Sequence, residues 1–81
     1  MNRKVLLVDD DVNILDAYRR VLRGKLELSV AEGGKEALTI LKRSDPFAVI
    51  VSDYRMPEMD GIEILARARE LCPDTVRIML T

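Results

Sequence analysis

The apolar positions fall into short segments that alternate between two spacings. Lys4 to Val8 is a Val- and Leu-rich run stopped abruptly by Asp9, Asp10 and Asp11, as expected of a strand buried on both faces with acids at its carboxyl end. Ile14, Leu15, Tyr18, Val21 and Leu22 then follow helical i, i+3/i+4 spacing, with Asp11 placed as N-cap and Gly24 as the stop. Leu26, Leu28 and Val30 alternate with polar residues, as in a strand nearer an edge, and Gly33-Gly34 opens a second helix carrying Ala37, Leu38 and Leu41. After Pro46, Phe47 to Val51 is a second unbroken apolar run, closed by Asp53 after Ser52. Tyr54 to Asp60 reads as a loop. Asp60 and Glu63 have the spacing of a capping box, and Ile62, Leu65, Ala66 and the stem of Arg69 supply the buried stripe of a third helix that stops before Pro73. Thr75 to Thr81 reads as a fourth strand.

The resulting order is βαβαβαβ with short links, and right-handed crossovers then require an α/β fold: a parallel sheet with helices on its faces. With 81 residues the chain holds one domain and one core. Its 13 Lys and Arg against 14 Asp and Glu give a net charge of −1, without the basic excess that drives nucleic-acid binding. No apolar run spans a bilayer, and the segment after Met1-Asn2-Arg3-Lys4 is too short for a signal peptide, which predicts a cytoplasmic protein without membrane contact. Cys72 is the only cysteine and there is no histidine, so disulfide frameworks, zinc sites and Ser-His or Cys-His catalysis are excluded.

What chemistry remains lies with carboxylates, hydroxyls, amines and backbone. Ligands of open parallel sheets bind outside the carboxyl ends of the strands, where chain order reverses. If the first strand lies between the second and third, Asp9, Asp10 and Asp53 converge there. At about 5 Å and an effective dielectric near 20, each pair repels by ~3 kcal/mol, so three acids cost on the order of 10 kcal/mol unless a cation or raised pKa values relieve them. Hard oxygen donors without His or Cys favour Mg²⁺, which commonly takes one or two carboxylates, waters and a phosphate oxygen. Thr81 adds a hydroxyl at the end of the fourth strand. Asp11 is assigned to capping, Arg19, Arg20, Arg23 and Lys25 to solvating the first helix's carboxyl end, and Cys72 and the four methionines to packing.

The segments Val5-Leu6-Leu7-Val8-Asp9-Asp10-Asp11, Asp53-Tyr54-Arg55-Met56-Pro57-Glu58-Met59-Asp60-Gly61 and Ile78-Met79-Leu80-Thr81 resemble the receiver domain of two-component response regulators. The resemblance covers residues 4 to 81. It implies a flavodoxin-like, doubly wound parallel sheet of strand order 2-1-3-4-5, and an aspartate that accepts a phosphoryl group from a sensor histidine kinase. Asp53 matches that phosphoacceptor, Asp10 the direct Mg²⁺ ligand, Asp9 its partner acid acting through water, and Arg55 the position whose backbone carbonyl completes the metal shell. Thr81 matches the hydroxyl that contacts the phosphoryl group and moves on activation. Such a domain signals rather than turning over a substrate, although it catalyses its own phosphorylation and dephosphorylation. Measured against the family, residues 1–81 are the first two thirds of a receiver, with strand order 2-1-3-4 and the last helix, strand and helix missing. The lysine expected at the end of the fifth strand goes with them, and any output domain lies outside this chain.

Other classes fit less well. A haloacid-dehalogenase-like hydrolase wants Asp-x-Asp followed by a Gly-Thr-like turn, whereas Asp11-Val12-Asn13 follow here. A flavin binder needs a hydroxyl- or Gly-rich phosphate cradle where this chain puts three acids. An EF-hand reading of Asp9, Asp11 and Asn13 meets Ile14 at the required Gly and Arg20 at the required Glu. The remaining alternative is a receiver-like interaction module that does not phosphorylate. The unpaired fourth strand and the exposed stripe of Ile14, Tyr18 and Val21 predict a homo-oligomer.

Overall fold

A computed structural model describes residues 2–80. The elements are β1 (Lys4–Val8), α1 (Val12–Leu22), β2 (Glu27–Ala31), α2 (Gly34–Arg43), β3 (Val49–Asp53), α3 (Gly61–Leu71) and β4 (Val76–Leu80). All four strands are parallel and lie in the order β2-β1-β3-β4, the flavodoxin-like arrangement. Chain order reverses at β1: the first crossover steps to one side, and the next passes back over β1 to β3. Right-handed crossovers in opposite directions put α1 on one face and α2 and α3 on the other.

Register shows which side chains share each face. Leu6, Val8, Ala31 and Ile50 pack with Ala37, Leu38 and Leu41 of α2, Ile64 and Ala68 of α3, and Phe47 in the main core. Complete burial of Leu6, Ile50 and Ile64 contributes about 1.5–3 kcal/mol each. Val5, Leu7, Leu28, Val30, Val49, Val51, Val76, Ile78 and Leu80 occupy the opposite face, where α1 lies beside β2 with Leu15 buried. The outer part of that face, on β4, is open.

Two expectations need correction. The third strand starts at Val49, not Phe47, and runs through Asp53, because Phe47 turns its ring into the core while its carbonyl accepts from the Thr75 hydroxyl at 2.6 Å. The buried side of α3 is Gly61, Ile64 and Ala68, with Leu65 partly buried; Ile62 is 56% exposed, and Ala66 and Arg69 also face solvent. Gly61 sets this phase. A Cβ there would sit 2.5 Å from the Asp53 carbonyl oxygen, so the helix starts pressed against the end of β3 and every later residue is indexed from that contact.

Candidate functional site

The ends of β1 and β3 are tied together by the ladder that pairs Val8 with Ser52, so the residues that follow emerge side by side. Asp53 is itself the last residue of β3, paired with Leu80 of β4. Asp9 continues the line of β1, its N–H donating to the Ala31 carbonyl of β2 at 3.1 Å. One carboxylate oxygen from each of Asp9, Asp10 and Asp53 then falls within 4.8 Å of the others. At that spacing each charged pair repels by ~3 kcal/mol.

Neighbouring backbone fixes each acid. The Asp11 N–H donates to Asp9 Oδ1 at 2.9 Å, which turns the chain at the end of β1. Asp11 faces away and caps α1, accepting from the Asn13 N–H at 2.9 Å, so it stays outside the cluster as expected. On the other side the Tyr54 N–H donates to Leu80, and the Gly61 N–H to the Tyr54 carbonyl at 2.9 Å, closing the loop from Tyr54 to Asp60 back on Asp53. The Asp60 carboxylate caps α3 by accepting from the Glu63 N–H at 3.0 Å. The reciprocal half of the capping box is not made, since Glu63 instead pairs with Arg67 at 3.2 Å.

Asp9 and Asp53 are half-buried and Asp10 is exposed. Burial raises the Asp9 carboxyl above its ordinary value of 3.8, the Asp11 N–H opposes this, and the charges of Asp53, Asp10 and Asp11 push it further up. Arg55 is exposed and lines an open cavity of about 460 Å³ with Asp10, Tyr54, Met56, Pro57 and Asp60. Thr81 lies outside the described residues. Two further residues that shape the site carry little signal in the sequence: Gly61, and Ser52, buried with its hydroxyl donating to the Asp53 carbonyl at 3.1 Å. The donor set, three hard carboxylates and no soft ligand, fits a divalent cation of the Mg²⁺ type.

Comparison with known proteins places this arrangement. The family profile described as the response regulator receiver domain matches residues 5–81. The chain belongs to the response regulator receiver family. A hydrogenase transcriptional regulatory protein, HoxA of Cupriavidus necator, is 39% identical over 77 residues, which is 95% of this chain and 16% of that protein. An adenylate cyclase structure from Rhodopirellula baltica superposes with a TM-score of 0.98 at 46% identity, over all of this chain and 60% of that one. The response regulator TrrA of Thermotoga maritima, solved in complex with Mg²⁺-BeF, superposes at 0.88 with 30% identity, over all of this chain and 70% of that one. This chain thus spans a small part of the first relative and 60–70% of the two solved chains. Receiver domains are signalling domains that work with histidine kinases and output domains. Among the described residues of this receiver, no helix is long and apolar enough to cross a membrane.

The raised Asp9 value gives a pH prediction for the metal-free protein. The folded state holds the Asp9 proton to higher pH than the unfolded state does. That contribution to stability is complete below about pH 3.8 and is lost as pH rises through the raised folded value. Asn at position 9 keeps an acceptor for the Asp11 N–H but cannot ionise. In urea denaturation with EDTA, the advantage of Asp9→Asn over the parent is therefore expected to grow from pH 3.5 to pH 7. A difference that does not change with pH contradicts the assignment.

Proposed function

We propose that this receiver takes a phosphoryl group from the phosphohistidine of a sensor histidine kinase onto Asp53, in the cytoplasm and with Mg²⁺. The observation that supports it most is the convergence of Asp9, Asp10 and Asp53 at the carboxyl ends of two adjacent parallel strands. An Asp53 carboxylate oxygen attacks phosphorus while the phosphorus–nitrogen bond breaks, its electron pair leaving with the imidazole, and the product is an acyl phosphate. Asp9, Asp10, Asp53 and the Arg55 backbone carbonyl are the groups that would hold Mg²⁺, which when bound neutralises charge on the phosphoryl oxygens.

The chain's own contribution is position. The β1–β3 ladder and the contact at Gly61 hold the Asp53 backbone in place, so its carboxylate needs little reorganisation to reach an in-line donor. Asp9 and Asp10 add negative charge that would repel an incoming phosphate, so the site accepts a phosphoryl group only once that charge is met. Thr81 is assigned the phosphoryl contact and switch. An acyl phosphate hydrolyses readily, which suits a signal that ends without a dedicated phosphatase. On this reading residues 1–81 are the N-terminal two thirds of a receiver, and the output domain is a separate part of the same system.

A second reading concerns self-association. Val76, Ile78 and Leu80 on β4, with Ile14 and Val21 on α1, leave apolar surface open on the face that α1 covers only in part. The chain exposes 5426 Å², against about 4,900 Å² for a compact monomer of this mass. The excess is a large share of the roughly 800 Å² that each partner buries in a standard interface. A second copy of the chain, related by a two-fold axis, would cover this face with one self-complementary surface, and the helix, strand and helix that complete a receiver would cover the same face.

Incubation with a small acyl-phosphate donor and Mg²⁺ is expected to add one phosphate by intact mass, and Asp53→Asn to remove it. Label persisting in Asp53→Asn, or mapping to Asp9 or Asp10, overturns the phosphoacceptor assignment. Sedimentation of the 81-residue chain across a dilution series is expected to show a monomer–dimer equilibrium, and a folded monomer at every concentration contradicts the second reading.

A further inference from the structure

Beside the acid cluster a groove of about 320 Å³ runs between the loop that enters α2 and the loop that enters α3, adjoining the cavity at Arg55 through the shared wall of Asp10, Met56 and Pro57. Its apolar lining comes from Met56, Pro57 and Met59. Met56 and Met59 pack against the core and are only half-buried, so each keeps part of its thioether chain at the surface. The opposite wall is brought close by Gly34, where a Cβ would meet Met59 Sδ at 2.7 Å and Met59 Cβ at 2.8 Å. At Gly33 a Cβ would meet nothing within 4 Å, so the upper wall is open.

The rim is strongly one-signed. Asp10, Glu32, Glu36 and Glu58 line it, against the single cation Lys35. Lys35 reaches across to Glu58 at 3.8 Å, with both side chains largely in solvent. Exposed pairs of this kind are weak and give way to a better-placed cation. The helix N-terminus at α2 does not call for an anion from outside, because Glu36 lies in its first turn and its carboxylate already accepts from the Glu32 N–H at 3.4 Å. An inorganic cation does not match the groove, whose volume is at the small end of pockets for organic groups and whose floor offers thioether and pyrrolidine carbon.

We propose that this groove docks a short basic segment of a partner protein, seating one or two aliphatic side chains on Met56, Pro57 and Met59 and setting flanking Lys or Arg against Glu32, Glu36 and Glu58. Methionine floors adapt to aliphatic side chains of differing shape, and the acidic rim selects sequences that flank them with cations. Docking needs neither a phosphorylated Asp53 nor a metal, so it stands independently of the phosphoryl-transfer reading.

The test uses two fluorescein-labelled hexapeptides of equal charge, Lys-Arg-Leu-Leu-Arg-Lys and Lys-Arg-Ser-Ser-Arg-Lys, with the 81-residue protein in EDTA. The leucine peptide is expected to bind at least about tenfold more tightly than the serine peptide, from burial of its aliphatic carbons. In spectra of methyl-labelled methionine, the Met56 and Met59 signals are expected to move and that of Met79 to stay. The double substitution of Glu32→Gln with Glu58→Gln should weaken binding about fivefold, while Glu70→Gln, far along α3, leaves it unchanged. Equal affinity for the two peptides, absence of saturable binding, unmoved Met56 and Met59 signals, or equal effects of the rim and distant substitutions each overturn the proposal.

Discussion

Three carboxylates held within 4.8 Å of one another are the feature on which the other parts of this molecule depend. Left to themselves they would separate, since each pair repels by ~3 kcal/mol at an effective dielectric near 20. The β1–β3 ladder prevents it. Leu6 and Ile50, fully buried on neighbouring strands, anchor the two chain segments that lead into these acids, so the backbones that carry them cannot part without opening the core. Folding free energy is thus stored as electrostatic strain at one end of the sheet. The raised Asp9 carboxyl reflects burial first, with the charges of Asp53, Asp10 and Asp11 adding to it.

The same end of the sheet is shaped by residues with almost no side chain. Gly61 lets α3 begin against the Asp53 carbonyl, and Gly34 lets α2 begin against Met59. Both helices therefore start close to the acid cluster, and the loops that precede them form the walls of the adjoining groove. Charge, loop position and helix phase are coupled here by contact distances: a substitution at Gly61 presses on the Asp53 backbone, and one at Gly34 on the Met59 side chain that floors the groove.

Much of this was legible in the sequence. Two apolar runs that each end in acids locate the central strands, and the order of elements with the handedness of crossovers yields the parallel sheet; the strand order that makes Asp9, Asp10 and Asp53 meet came from the resemblance to receiver domains. The phase of α3 was not legible, because Ile62, Leu65 and Ala66 carry the hydropathy signal while Gly61 and Ala68, which make the close contacts, carry little. The start of β3 was blurred for a related reason: Phe47 is as apolar as the strand it precedes, yet it serves the core from outside the ladder. The groove beside Asp10 joins two loops about two dozen residues apart, and no local pattern announces it.

The most direct test of the strained cluster is the stability of the chain in Mg²⁺ at constant ionic strength, with NaCl as the balance, for the parent and Asp10→Ala. A cation bound only by the folded cluster adds RT ln(1 + [L]/Kd), about 1.4 to 2.7 kcal/mol at roughly 10 to 100 times Kd. A saturable gain of that size is predicted for the parent. Asp10→Ala is predicted to be more stable than the parent without metal and unresponsive to it. Equal responses from the two proteins, or a parent indifferent to the exchange of NaCl for Mg²⁺, would contradict the claim that this cluster is a strained site completed by a divalent cation.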